Sequence, residues 1–328
     1  MNGLPGHAEL HAPSPLQWEA EALWQRLEPY LPGISVEVVA TAESTNTLLL
    51  ERARLGGGRH DAPITTPGEL EAMRRRGAAS RDAGGGPYGR RSDDTQPCLL
   101  VAEHQTFGRG RLGRSWYSAP GASLTFSIGL PMAPRDWSGL SLAVGVALAD
   151  TLEPPEPDVS APRIALKWPN DLWLVDADGK GRKLGGVLIE TVAVGGRRMV
   201  VVGVGLNVAP LPTAGAAREL AHGYACAQEL IPGLQAPAAL HRVALPLVRA
   251  LLQFEREGFA GFALAYARRD LLRGRPVVAT DAARPDASCS GTAEGVTLQG
   301  ALRVRGADGV VREIISGEVS VRLAEPPG

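Results

Sequence analysis

Apolar residues recur at helical spacing over residues 16–31, where Trp18, Ala22, Leu23, Leu27 and Leu31 fall on one face and Pro32-Gly33 ends the run. Residues 34–40 alternate around Val36 and Val38, the period of a strand. Ser44 then stands where an N-cap belongs, ahead of a second short helix reaching Leu55. Strand patterns return at residues 98–103, 123–130, 164–167, 183–194 and 198–208, and Gly195-Gly196 supplies a hairpin turn between the last two. Residues 140–152 are apolar on nearly every face, which predicts a buried helix, and residues 237–272 predict one or two amphipathic helices. After Gly274 glycine, aspartate and proline punctuate short β-like runs as far as Leu323, a pattern that suits a small barrel. The expected architecture is α/β (α+β): a mixed-sheet domain over residues 1–273 and a small β domain over residues 274–328.

One stretch breaks this rhythm. Residues 56–97 hold two glycine triplets, the Arg74-Arg75-Arg76 run and few apolar side chains. Such a segment buries too little surface to offset its ordering entropy, apart from a helical turn near residues 69–76, and reads as a mobile surface insertion. Elsewhere 44% apolar composition over 328 residues is enough for a large core. A formal net charge of −1 provides no global field for nucleic acid, so any cationic site must be local. Cys98, Cys226 and Cys289 lack metal-ligand spacing and read as isolated thiols of a reducing compartment. No basic leader opens the chain and no apolar run reaches the ~18 residues of a membrane span, so a cytoplasmic protein without membrane contact is expected.

Four segments carry more glycine, charge or amide than core strands require. Gly108-Arg109-Gly110-Arg111-Leu112-Gly113-Arg114, preceded by Glu103-His104-Gln105, puts three guanidiniums beside backbone N–H groups that a ligand can approach closely. This combination suits phosphate or carboxylate oxygens. It also spells the dinucleotide pattern G-x-G-x-x-G, but that motif needs a helix directly after it, and here a turn-like stretch and a strand follow. A single copy between two strands is equally a poor arginine-glycine nucleic-acid segment. Lys167-Trp168-Pro169-Asn170-Asp171 ends a strand in a turn that presents an amide and a carboxylate, an arrangement suited to a nucleotide and its Mg²⁺ and equally to an ordinary turn. Lys183 opens an otherwise apolar strand in which Gly185-Gly186 leaves room for close approach. Gly203-Val204-Gly205-Leu206-Asn207-Val208 ends another strand with glycines and one amide. Together these imply a small ligand with an apolar body and an anionic end. Ser44, Thr45, Asn46 and Gln105 would meet its polar groups, and the arginines with Lys183 would meet the anion. No Ser/His/Asp set or carboxylate pair stands out, so positioning and electrostatics, not a protein nucleophile, should carry the chemistry.

In order and wording these motifs, with Glu43-Ser44-Thr45-Asn46, Trp116 and Gly317-Glu318-Val319-Ser320, resemble those of the biotin–protein (biotin–[acetyl-CoA-carboxylase]) ligases across nearly the whole chain. The resemblance implies a biotin/lipoate ligase-like catalytic domain with an SH3-like C-terminal barrel. It further implies ATP-dependent formation of biotinyl-5′-adenylate and transfer of biotin to one lysine of a biotin carboxyl carrier protein. By matching positions, Ser44, Thr45, Asn46 and Gln105 would hold biotin's ureido end. Arg109, Gly110 and Arg111 would close over biotin and adenylate, with Gly186, Gly205 and Asn207 lining the site. Lys183 and Arg111 would act catalytically, and Lys183 would neutralise the carboxylate and α-phosphate. Trp116 would lie near the adenine. Asn170, Asp171 and Arg322 would serve ATP, with Mg²⁺ held by Asp171 and the ATP phosphates. Only 43 residues precede Ser44, too few for the winged helix-turn-helix of the repressor members, so the ligase-only form is expected: no DNA partner, and a monomer or weak homodimer. Lipoate–protein ligases and octanoyltransferases are the nearest alternative.

Overall fold

The computed structural model describes residues 16–56, 68, 95–156, 162–211, 223–281, 284–315 and 319–323. Nearly all of the glycine-rich stretch at 56–97, including the helical turn expected near 69–76, lies outside them. Seven strands form one sheet in the order β1-β2-β3-β7-β6-β5-β4. They are β1 (Ser35–Ala42), β2 (Cys98–Gln105), β3 (Ser123–Pro131), β4 (Ile164–Lys167), β5 (Asp171–Val175), β6 (Gly181–Val194) and β7 (Arg197–Asn207). Only β1 and β2 run parallel; every other neighbouring pair is antiparallel. The sheet is therefore mixed. Gly195 and Gly196 take φ values of 53° and 79° at the β6–β7 turn, a left-handed pair that glycine adopts without a Cβ clash.

Alternation along the strands sorts side chains to two faces. Leu99 and Val101 of β2, Leu124, Phe126, Ile128 and Leu130 of β3, and Val200, Val202, Val204 and Leu206 of β7 join one large core. That core is completed by α1 (Ala20–Leu27), α3 (Leu140–Leu152) and α4 (Ala236–Glu257). On the other face α2 (Thr45–Gly56) packs Leu49 and Leu50 against Leu100, Ala102 and Val201. Its first turn is capped as expected, with Thr47 N–H donating to Ser44 Oγ at 3.4 Å. A buried ion pair, Arg52 Nη1 to Glu37 Oε2 at 2.9 Å, ties α2 to the edge strand β1. Beside it burial pushes the Cys98 thiol up to about 12, leaving it inert.

Two expectations need correction. The first helix covers only residues 20–27, and Ala22, assigned to its apolar face, is exposed because the face turned to the core carries Leu23 and Leu27, flanked by Ala20 and Trp24. Strand β5 had no counterpart in the pattern: the turn at Trp168-Pro169-Asn170 is short enough for Asp171 to begin a strand at once, pairing with Lys167. The amphipathic stretch, expected as one or two helices, is two, α4 and α5 (Ala263–Arg269), with α4 ending at Gly258. The C-terminal strands β8 (Pro276–Asp281), β9 (Arg284–Val296), β10 (Leu302–Arg305), β11 (Val311–Ile314) and β12 (Val319–Leu323) form an antiparallel sheet in the order β11-β10-β9-β8-β12. It meets the main domain where Trp168 Nε1 donates to Gly300 O at 3.0 Å.

Arg269, 3% exposed, fastens α5 to the end of α3 by donating to Asp150 Oδ1 at 2.7 Å, to Glu153 Oε2 at 2.8 Å and to Ile164 O at 2.9 Å. Removing one side of such a buried network leaves its acceptors uncompensated. Arg269→Ala is therefore expected to lower unfolding free energy by about 3 kcal/mol, measured by urea denaturation.

Candidate functional site

Alternation also builds the site. The residues of β3 and β7 that turn away from the main core are Thr125, Ser127 and Gly129, and Val201, Gly203, Gly205 and Asn207. A Cβ at Gly129 would sit 3.3 Å from Leu49, one at Gly203 would collide with the Asn46 amide, and one at Gly205 would collide with the Trp116 ring. The space over Gly129 is taken by Leu49, while at Gly203 and Gly205 the missing side chains let Asn46 and Trp116 wall a trough above the sheet. It forms a cavity of about 520 Å³, within the range of small-molecule sites.

Of the residues singled out in the sequence, Ser44, Thr45, Asn46, Gln105, Arg109, Gly110, Arg111, Trp116, Asn170, Asp171, Lys183, Gly186, Gly205 and Asn207 all line this cavity. Arg322 is the exception: its backbone pairs with Val278 in the C-terminal sheet, and its side chain lies outside the described residues.

The cavity has a polar end and a cationic end. At the polar end Thr45 N–H donates to Gln105 Oε1 at 2.8 Å, and Gln105 N–H donates to Ser118 Oγ at 2.9 Å. Asn46 Nδ2 donates to Leu188 O at 3.2 Å and to Glu190 Oε2 at 2.9 Å, so its Oδ1 faces Ser127, whose hydroxyl donates at 2.6 Å. The same hydroxyl lies 2.6 Å from Thr45 Oγ1.

At the other end three cationic side chains, Arg111, Arg114 and Lys183, lie near one carboxylate, Asp171, while a fourth cation of the wall, Arg109, sits by the polar end against Thr47 and Glu190. Lys183 Nζ reaches Asp171 Oδ1 at 2.8 Å and lies 5.8 Å from the Trp116 ring centroid. Gly186 permits the approach, since a Cβ there would sit 3.3 Å from that carboxylate oxygen. Burial lowers the Arg111 pKa, Asp171 opposes the shift and Arg114 adds to it. An excess of partly desolvated positive charge is a site for an anion.

The glycine-arginine segment is a small hairpin between β2 and β3. Trp116 N–H donates to Gly108 O at 2.7 Å and Gly110 N–H to Arg114 O at 2.7 Å. Leu112 and Gly113 turn at its tip with φ of 57° and 70°. No helix follows it, which removes the dinucleotide reading. Two amides are committed within the chain. Asn170 Nδ2 donates to Val187 O at 2.7 Å, and Asn207 Nδ2 donates to Lys183 O at 3.1 Å and Ala225 O at 3.0 Å. Both side chains thus fix strand β6, which bears Lys183. Among the described residues no three His, Cys, Asp or Glu side chains converge as a metal cage.

Sequence reasoning missed Ser127 and Tyr224 and gave Glu190 no role of its own, whereas Arg114 is one of the three arginines it singled out. Ser127 was detectable in principle as a hydroxyl at a strand position facing away from the core. Tyr224 was not, because only a parallel bridge to Lys183 brings it to the wall.

The chain matches the Biotin/lipoate A/B protein ligase family over residues 90–207 and the Biotin protein ligase C terminal domain over residues 274–322. It is 34% identical to the Bifunctional ligase/repressor BirA of Escherichia coli over 298 residues, spanning 90% of this chain and 76% of that protein. The chain belongs to the biotin–protein ligase family. It is a ligase, and 33% identity over 230 residues to the Biotin--[acetyl-CoA-carboxylase] ligase of Paracoccus denitrificans, 66% of this chain and 86% of that one, agrees. The fold is that of the biotin protein ligase of Aquifex aeolicus in complex with biotin and ATP (TM-score 0.59, 23% identity, 88% of this chain and 99% of that one). In this ligase the fully buried Ser127 hydroxyl joins Thr45 to Asn46. Ser127→Ala strands Asn46 Oδ1 without that donor, and unfolding free energy should fall by about 1–2 kcal/mol in denaturant titration.

Proposed function

We propose that this chain joins biotin to ATP as biotinyl-5′-adenylate and then transfers the biotinyl group to the ε-amine of a lysine on a biotin carboxyl carrier protein. In the first step a biotin carboxylate oxygen attacks the α-phosphorus and pyrophosphate leaves. In the second the neutral lysine amine attacks the activated carbonyl, AMP leaves with the bonding electron pair, and the amine loses a proton to solvent. The observation that carries this reading is one cavity, of ligand size, whose wall combines amide and hydroxyl groups at one end with three cations near Asp171 at the other, and Arg109 beside the polar end.

Bringing a carboxylate against a triphosphate opposes like charges, at a cost of about 4 kcal/mol for one pair of unit charges 4 Å apart near a protein surface. Lys183 and Arg111 answer that repulsion from fixed positions. Lys183 would exchange its Asp171 partner for the carboxylate and α-phosphate oxygens as charge develops there. Ser44, Thr45, Asn46 and Gln105 would bind the ureido group, whose N–H and C=O need both acceptors and donors. Arg109, Gly110 and Arg111 would cover the chain of biotin and keep water from the adenylate. Trp116, whose indole N–H is buried without a hydrogen-bond partner, would meet the nucleotide. A single carboxylate suits Mg²⁺, which keeps most of its waters and binds chiefly through nucleotide phosphates; Asp171 would hold it, and Arg322 would approach ATP from the C-terminal sheet.

The test offers biotin or lipoate, with ATP and Mg²⁺, to the ligase and a purified carrier domain. A mass increase on the carrier by biotin, absent with lipoate, is expected; lipoate transfer without biotin transfer would overturn the reading. Lys183→Ala should keep the fold, read by circular dichroism, and lose pyrophosphate release by about 100-fold. A near-normal rate would remove Lys183 from charge neutralisation.

A further inference from the structure

We propose that Glu190 is a positioning residue that couples the polar end of the cavity to the glycine-arginine hairpin, so that filling the first sets the second. The inference rests on the proposed ligase chemistry for its purpose, and on geometry alone for its existence.

Glu190 lies on β6 just beyond the cavity wall, and its two carboxylate oxygens serve two different partners. Oε2 accepts from Asn46 Nδ2 at 2.9 Å, and Oε1 accepts from Arg109 Nη2 at 3.0 Å. Arg109 Nη1 also donates to Thr47 Oγ1 at 3.3 Å, on the first turn of α2. The carboxylate settles which way the Asn46 amide faces. Reversed, the amide would bring Oδ1 against both the Glu190 carboxylate and the Leu188 carbonyl, two acceptors against a third. With the orientation fixed, Oδ1 takes the single Ser127 proton, and the one Thr45 proton is shared between two acceptors, Ser127 Oγ at 2.6 Å and Gln105 Oε1 at 3.2 Å. Thr45 Oγ1 then presents its lone pairs as an acceptor. An unbroken run of contacts therefore leads from Gln105 and Thr45 through Ser127, Asn46 and Glu190 to Arg109 on the hairpin.

The strengths along this run differ. Ser127 is fully buried and Asn46 is buried, whereas the ends of the last link, Arg109 and Glu190, have side chains 50% and 22% exposed. A salt bridge that exposed is weak enough to break and remake on the timescale of ligand exchange, while the buried links persist. Glu190 thus serves as a releasable latch for the hairpin. A ligand that holds Asn46 holds Glu190, and through it keeps Arg109 over the cavity.

Limited trypsin digestion of the full chain without ligand tests this, with the cut after Arg109, Arg111 or Arg114 followed by mass spectrometry. Glu190→Ala should speed cleavage in this hairpin about fivefold, with cleavage elsewhere and the thermal midpoint unchanged. Glu190→Gln keeps the size and one acceptor oxygen but not the charge, and should give a smaller increase of about twofold. Hairpin cleavage at the wild-type rate in both variants would overturn the latch, and so would an increase matched at sites remote from the hairpin. In a second measurement, Glu190→Gln should release pre-formed biotinyl-adenylate several-fold faster, and release at the wild-type rate would overturn the latch. If no variant or wild-type sample forms adenylate, the proposed reaction fails, yet the cleavage pattern still decides the latch.

Discussion

Everything functional here depends on what faces α2 across the middle of the sheet. On the core side, β3 and β7 carry unbroken rows of leucine, isoleucine, valine and phenylalanine that anchor the strands. On the α2 side the same strands carry Gly129, Gly203 and Gly205 where a side chain would run into Leu49, Asn46 or Trp116. Because side chains alternate strictly along a strand, one face can be packed densely while the other is emptied without loosening the backbone. Glycine in a strand costs stability, and two solid core faces allow that cost to be carried.

Within the emptied trough the two ends are held by different physics. The polar end is buried and its hydrogen-bonding groups are locked to one another, so it can recognise a ligand by matched donors and acceptors with little reorganisation. The cations are more open: Lys183 is parked on Asp171 at the cationic end, and Arg109 on Glu190 beside the polar end. Parking these two limits repulsion among the four positive charges of the wall and keeps both exchangeable for a ligand oxygen. Asn170 and Asn207 supply the rigidity behind this, because both amides are spent on the strand that bears Lys183. The glycine-arginine segment gains its meaning from the same context. As a hairpin between two antiparallel strands, closed by its own backbone bonds, it offers side chains to a ligand, whereas a dinucleotide loop offers a helix N-terminus.

Much was readable from the chain alone. The strands at β1, β2, β3, β6 and β7, the buried helix α3 and the cap at Ser44 follow from periodicity and capping chemistry, which are local properties. The residues of the cavity were nearly all visible too, because glycine, arginine and amide side chains inside apolar runs have few structural reasons to be there. What escaped was of another kind. Strand β5 has only five residues and its pairing depends on a turn. Ala22 satisfied the helical period yet faces water, because what α1 packs against is set elsewhere in the chain.

By itself the sequence determined which residue types would serve the site and in what order along the chain, since composition and spacing fix chemistry locally. Only the tertiary structure decided who meets whom. It set Glu190 between Asn46 and Arg109, Ser127 between Thr45 and Asn46, and Asp171 against Lys183. Those meetings depend on strand register and on the placement of α2, which join residues 12 to 144 positions apart in the chain and leave no periodic trace in it.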